Sequence, residues 1–287
     1  MEYVFLNGSY LPRGEAVLSV EDRGFVFGDG VYEVVPNYRG APFLMVEHLE
    51  RLAGGLKELA IDYPVAEVEP ILRELTARNE LSESPISVFY LQVTRGVAPR
   101  THHFPPAGTP PTVFATARPF TRPDLTTWES GFEAITHPDR RWGRADIKTI
   151  QLLPNVMAQE AARAAGVSDA IFVRDGIPLE GSHNNLFFVF DGTLRSHPTS
   201  NQILPGITRA VLIELAREKG YRIEERPTPL EEMADASELF LTGSTTEVRP
   251  IVRVDGRPVG DGRVGPVAKE MRAALFERIE RECGSPQ

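Results

Sequence analysis

The stretch AIFVRDGIPLEGSHNNLFFVFDGTLR, residues 170–195, constrains this chain more than any other segment. Asp-Gly pairs at 175–176 and 191–192 separate runs of apolar residues. A two-residue Asp-Gly loop is a favoured tight hairpin turn, because both of its positions need positive φ. The segment therefore reads as a strand meander. Asn7-Gly8 and Arg39-Gly40 punctuate residues 1–46 as short strands in the same way. The period then changes. Leu49, Leu52, Leu56 and Leu59 are spaced three and four apart, which predicts a helix with one apolar face, and Ile71, Leu72 and Leu75 predict a second. Strand character returns at 86–95 and 112–118, separated by the Pro/Gly-rich loop RGVAPRTHHFPPAGTPP.

Further along, a strand is expected near 132–136. A helix follows, opened by Pro154 and ended by Gly166. A second helix runs from LPGITR to Gly220, then come a strand at ELFLTG and a closing amphipathic helix at VAKEMRAALFERIERE. RPFTRPD at 118–124 interrupts two apolar segments with prolines and charges and reads as a linker. The predicted organisation is α+β in two domains, 1–118 and 124–287, joined at 119–123.

Composition narrows the function. The 287 residues carry 31 Lys+Arg against 40 Asp+Glu, a net charge of −9, with no basic block, which argues against a nucleic-acid partner. A lone cysteine, Cys283, makes no intrachain disulfide and no multi-cysteine zinc site. The apolar runs are far too short for a membrane span, and MEYVFLNGSY lacks the pattern of a signal peptide, so a cytoplasmic location is expected.

Several residues carry possible chemistry. Lys148 lies among apolar residues in ADIKTIQLL, where desolvation disfavours its ammonium form and favours Schiff-base chemistry. Taken alone, it reads better as a lysine snorkelling from a strand edge. Glu180 is either a carboxylate facing a cavity, suited to a cationic ring nitrogen, or a turn residue in water. Gly206, Ile207 and Thr208 stand where a helix begins, and LTGSTTEV sets hydroxyls after a strand. Both are anion-binding candidates, and both are also ordinary caps or turns. No P-loop or GxGxxG pattern accompanies them. Arg100 suits a carboxylate. His102 and His103 lack nearby ligands to complete a metal set, so no metal is expected.

Together these segments resemble the fold type IV pyridoxal-phosphate enzymes, and among them the D-amino-acid aminotransferases. The resemblance covers nearly the whole chain. It is carried by EDRGFVFGDGVYEVV (21–35), EHLERL (47–52), YLQVTRGVAPRTHHFP (90–105), WGRADIKTIQLLPNV (142–156), LEGSHNNLF (179–187), LPGITR (204–209) and FLTGSTTEV (240–248). It implies two α/β domains with pyridoxal 5′-phosphate at their interface. Lys148 falls where the family forms its internal aldimine, and Glu180 where a carboxylate pairs with the pyridine nitrogen. Arg51, Ile207, Thr208, Ser244 and Thr245 match the phosphate cradle, with Arg51 supplying the full charge. Tyr32, Arg100 and His102 match the trap for the substrate α-carboxylate, the last two reaching over from the neighbouring subunit of a homodimer. The implied reaction is ping-pong transfer of an amino group between a D-amino acid, such as D-alanine or D-glutamate, and a 2-oxo acid. Branched-chain L-aminotransferases, (R)-amine transaminases and aminodeoxychorismate lyase share the lysine, glutamate and cradle, and the carboxylate trap separates them. His183 and Asn184 depart from the small hydroxyl residues of the D-specific enzymes, and Pro36-Asn37 departs near Tyr32.

Overall fold

The computed structural model describes residues 2–284. The chain forms two compact units. The first comprises residues up to Thr121, with Ile147–Gln151 and the residues from Ile279 on; the second comprises Arg122–Asp146 and Leu152–Arg278.

In the first unit the elements are β1 (Tyr3–Leu6), β2 (Ser9–Pro12), α1 (Arg23–Phe27), β3 (Gly30–Tyr38), β4 (Ala41–Pro42), α2 (Met45–Glu58), α3 (Val68–Arg78), β5 (Ser87–Thr94) and β6 (Thr112–Pro119). The strands make an antiparallel sheet in the order β2-β1-β6-β5-β3-β4. The three-and-four spacing does what it predicts. Leu52 and Leu56 of α2 and Ile71, Leu72 and Leu75 of α3 are buried in one cluster with Val31, Val35, Phe89, Leu91 and Val93 of the sheet. Burying each such leucine stabilises the fold by roughly 1.5–3 kcal/mol, and truncating one to alanine costs about 2–5 kcal/mol.

In the second unit the elements are α4 (Leu125–Ser130), β7 (Phe132–Pro138), α5 (Leu153–Ala164), β8 (Asp169–Arg174), β9 (Ile177–Gly181), β10 (Asn185–Phe190), β11 (Thr193–Ser196), α6 (Ile207–Glu218), β12 (Arg222–Glu225), β13 (Glu238–Gly243), β14 (Glu247–Val254) and β15 (Arg257–Pro258); α7 (Pro266–Cys283) ends the described chain. The sheet order is β12-β11-β10-β13-β14-β7-β8-β9, and β9 pairs again with β10 through Glu180 and Asn185. Six strands, β10-β13-β14-β7-β8-β9, thus close into a ring. The two Asp-Gly turns have the required backbone, with φ of 50° and 75° at Asp175-Gly176 and 47° and 76° at Asp191-Gly192. They join β8 to β9 and β10 to β11.

Two short helices lie outside the sequence expectations. α1 is capped by the Asp22 carboxylate, which accepts from the Gly24 amide at 2.8 Å. α4 follows the predicted linker and is capped by Asp124, with the buried Trp128 indole donating to the Val248 carbonyl at 2.7 Å. Neither is long enough to show a period. The unit division also departs from the linear one. The segment bearing Lys148, expected within the C-terminal domain, groups with the first unit because it is hydrogen-bonded alongside β3. Tyr32 N–H donates to the Lys148 carbonyl at 3.0 Å, and Ile150 N–H donates to the Gly30 carbonyl at 3.1 Å. No helix among the described residues is long and apolar enough to cross a membrane.

Candidate active site

In the first unit, Lys148 and Tyr32 are brought together. The Lys148 ammonium lies 4.1 Å from the centre of the Tyr32 ring, a cation–π contact that fixes the end of a flexible side chain. β3 also carries Glu33, whose side chain points to the opposite face of the strand from Tyr32. Glu33 is buried and accepts from Arg51 Nε at 2.7 Å and Nη2 at 2.9 Å, while His48 Nδ1 lies 2.8 Å from its Oε2. Burial opposes the ionised form of Glu33, but Arg51, helped by His48, holds its carboxyl well below the usual carboxylate range. Burial pushes the His48 imidazole pKa down. The neutral ring then donates Nδ1–H to Glu33. Arg51, expected to supply the full charge of the phosphate cradle, is paired with this buried carboxylate. What the structure fixes is the orientation of its fork.

Arg100 and His102 lie on the exposed loop after β5 and gather on one ring. The Arg100 guanidinium carbon is 5.3 Å from the centre of Phe27, and the His102 ring centre is 5.8 Å from it.

In the second unit the sheet register aligns the remaining residues. Glu180 on β9 faces Asn185 on β10, which faces Thr242 on β13. This row spans two strand spacings, roughly 10 Å. Asn185 Nδ2 donates to Glu180 Oε2 at 2.9 Å and to the Leu204 carbonyl at 2.8 Å. It thus ties the carboxylate to the loop that opens α6. The N-cap of α6 is Gly206, and no side chain caps the helix, so its first amides at Ile207 and Thr208 are donors available to an anion. A Cβ at Gly206 would overlap Asn185 Oδ1; only glycine permits this approach. Ser244 and Thr245 occupy the turn after β13, and the neighbouring Thr246 hydroxyl bonds Asn184 Oδ1. Asn184 in turn donates to the fully buried Asp169 at 2.5 Å, and Ser182 Oγ donates to the same carboxylate at 2.7 Å. Among the departures noted in the sequence, Asn184 is a cross-link between two loops. The His183 ring is turned outward, 47% exposed, with Nδ1 2.9 Å from Ser182 Oγ.

Glu180 has a partner that the sequence reading missed. Arg141 Nη1 bonds its Oε1, and Arg141 is held at 3.0 Å by Asp139, whose side chain is buried and also pairs with Arg174 at 2.9 Å. Burial raises the Glu180 pKa to about 7, against the opposing pull of Arg141 and the Leu204 amide. The signal for Arg141 was the run DRRWGRAD; the signal for Glu33 was a charge inside VYEVV. Among the described residues no group of histidine, cysteine or acidic side chains is arranged to hold a metal.

Comparison with known proteins supplies the family. The model of Amino-transferase class IV matches residues 30–254, and the chain belongs to this family. Two curated relatives are D-alanine aminotransferases. That of Staphylococcus haemolyticus is 39% identical over 284 residues, covering 98% of this chain and 99% of the relative, and that of Bacillus licheniformis is 39% identical over 281 residues, covering 97% and 98%. Among solved structures, the branched-chain amino acid aminotransferase of Escherichia coli superposes with a TM-score of 0.87 at 28% identity, covering 96% of this chain and 94% of that one. A second branched-chain amino acid aminotransferase, solved with pyridoxamine 5′-phosphate, gives 0.87 at 27% identity, covering 98% and 95%. The protein is thus a fold type IV aminotransferase, and its cofactor is pyridoxal 5′-phosphate.

The residues present fit that cofactor. A buried carboxyl raised to about 7 is the group a cationic ring nitrogen would return to its ionised form. The uncapped start of α6 supplies donors for a phosphate. Thr242 Oγ1, in the row with Glu180 and Asn185, is buried without a partner among the described residues.

Proposed function

We propose that this aminotransferase moves the amino group between a D-amino acid, D-alanine or D-glutamate being representative, and a 2-oxo acid. The observation that carries this reading is the convergence of Arg100 and His102 on Phe27. A fork-shaped cation and an imidazole on one small loop suit a carboxylate. The names of the curated relatives point the same way. The solved neighbours favour a second reading, transfer from branched-chain L-amino acids.

Pyridoxal phosphate, when bound, supplies an electron sink for the carbanion at the substrate α-carbon. By the family resemblance, Arg51, Ile207, Thr208, Ser244 and Thr245 would hold its phosphate, and Glu180 would hold a proton at its ring nitrogen. Lys148 Nζ, steadied against the Tyr32 ring, would take the proton from the substrate α-carbon as a base and pass it on to the cofactor as an acid within the same half-reaction, and would run the same transfer backwards in the return half-reaction. Arg100, His102 and Tyr32 orient the substrate carboxylate.

We also assign the active form to a homodimer in which Arg100 and His102 serve the site of the other copy. Both are exposed, and they share the first unit with exposed apolar side chains at Val20, Phe25, Val97 and Phe104, the kind of side chain that pairing covers.

The test is the absorbance of the cofactor-loaded protein after separate addition of D-alanine, L-leucine and (R)-1-phenylethylamine. Rapid change with D-alanine alone is expected. Change mainly with L-leucine moves the protein to the second reading. Lys148→Ala abolishes turnover in either case, and wild-type rates in that variant would refute the assigned base.

A further inference from the structure

The loop that carries Arg100 and His102 has little structure of its own. Residues 97–111 include five prolines, and the backbone bonds formed within it are Thr101 N–H to the Pro99 carbonyl at 2.8 Å and Thr109 N–H to the Pro106 carbonyl at 3.2 Å. Beyond the backbone pairing at its start, where Ala98 N–H donates to the Glu21 carbonyl at 3.4 Å, it is held by an ion cluster behind it. Asp29, just after α1, accepts from Arg23 Nε at 2.9 Å and, as a two-point pair, from Arg95 Nε at 2.8 Å and Nη2 at 3.0 Å. Both arginines are buried. Two cations against one carboxylate leave donors over, and these go to backbone carbonyls. Arg95 donates to Leu59 at 2.6 Å and to Ala60 at 3.0 Å. Arg23 Nη1 donates to the carbonyl of Thr101 at 2.8 Å, and Thr101 is the residue between Arg100 and His102.

Two ring contacts reinforce the tether. The Arg23 guanidinium carbon lies 4.7 Å from the centre of Phe27, the ring on which Arg100 and His102 also gather. The Arg95 guanidinium carbon lies 3.6 Å from the centre of Phe104, two residues past His102. The loop is therefore pinned at its backbone beside the two candidate carboxylate ligands and again at Phe104.

We propose that Arg23, oriented by Asp29, is a positioning residue that sets substrate specificity by holding Arg100 and His102 in register for a carboxylate. The inference rests on the reading of Arg100 and His102 given above. Removing the guanidinium leaves Asp29 paired with Arg95, so Arg23→Met strands no buried charge.

The experiment uses the cofactor-loaded protein and compares wild type, R23M, R100A and R23M/R100A in half-reactions with D-alanine and with (R)-1-phenylethylamine, which has no carboxylate. A misplaced carboxylate ligand is expected to raise the D-alanine half-saturation concentration by about tenfold or more in R23M, with amine values within about twofold of wild type. The double variant is expected to be little worse than R100A, because Arg23 acts through the loop. Deuterium uptake of the 95–105 peptide rises in R23M, a readout independent of turnover. Equal losses on both substrates, unchanged D-alanine saturation, or full additivity in the double variant would overturn the proposal. If R100A itself leaves D-alanine saturation unchanged, the carboxylate trap falls and this proposal with it; if R100A weakens D-alanine and R23M does not, only the tether falls. Should R23M fail to fold, R23K carries the same comparison, since lysine lacks the fork that bonds Asp29 from Nε and the Thr101 carbonyl from Nη1. Loss confined to D-alanine supports the tether, and wild-type values for both substrates overturn it.

Discussion

Cofactor-free protein should lose stability as pH rises through the neutral range, and Glu180 should be the cause. In the folded chain its carboxyl keeps a proton up to about pH 7, because burial outweighs Arg141. In the unfolded chain it ionises near the ordinary 4.5. Between these values the folded state binds more protons, so stability falls as protons are withdrawn. The contribution is complete below the unfolded value and gone above the folded one. The gap amounts to roughly 3 kcal/mol. In a chain of this size that corresponds to roughly 6–12 °C in Tm. The assay is thermal unfolding of cofactor-stripped wild type and Glu180→Gln from about pH 4.5 to 8. Glutamine keeps the size and an acceptor for Asn185 but has no proton to lose. The wild-type Tm should fall relative to the variant across that window. A constant difference between the two curves would refute the account of Glu180 as a carboxyl raised by burial.

Two further perturbations address the anchors of the cofactor groups. Glu33→Gln breaks a buried pair with Arg51 and should cost about 3–5 kcal/mol in unfolding free energy, read by denaturant titration. It should also weaken binding of pyridoxal 5′-phosphate more than of unphosphorylated pyridoxal, and equal weakening would show that Arg51 is not oriented for the phosphate. Gly206→Ala drives a methyl into Asn185 Oδ1, so either the start of α6 or the Asn185 bridge to Glu180 must move. A loss of about 1–3 kcal/mol is expected, with a raised dissociation constant for the cofactor measured by fluorescence titration, and a wild-type constant would count against the cradle.

What was legible in the sequence was local. The leucine spacing at 49–59, the Asp-Gly turns and Pro154 each report a backbone preference within a few residues, and the structure places α2, both hairpins and α5 there. The family resemblance adds order along the chain and points to Lys148 and Glu180 without giving their surroundings. Arg141 and Glu180 are 39 residues apart; nothing local says that DRRWGRAD will meet LEGSHNN. The pairing of Arg51 with Glu33 joins a helix to a strand, and no local pattern announces it. The grouping of Lys148 with the first unit depends on hydrogen bonds to β3 that no periodicity encodes. The short helices α1 and α4 owe their existence to single caps, Asp22 and Asp124, which resemble turn residues when read alone.

The strand order has a consequence for how copies of this chain meet. Among the described residues, four strands at the sheet margins are poorly suited to accept another. β2 and β4 at the margins of the first sheet end in Pro12 and Pro42, β15 is Arg257-Pro258, and β12 presents Arg222, Glu224 and Glu225. Proline has no amide hydrogen to offer a new ladder, and charge on a short margin repels a second sheet. On the far side, β9 returns to β10 through the pair Glu180 and Asn185, which closes the sheet at that point. Growth by strand addition, the route to runaway polymers, is thereby discouraged. A few prolines and charges at the sheet margins are what stand between this chain and open-ended stacking.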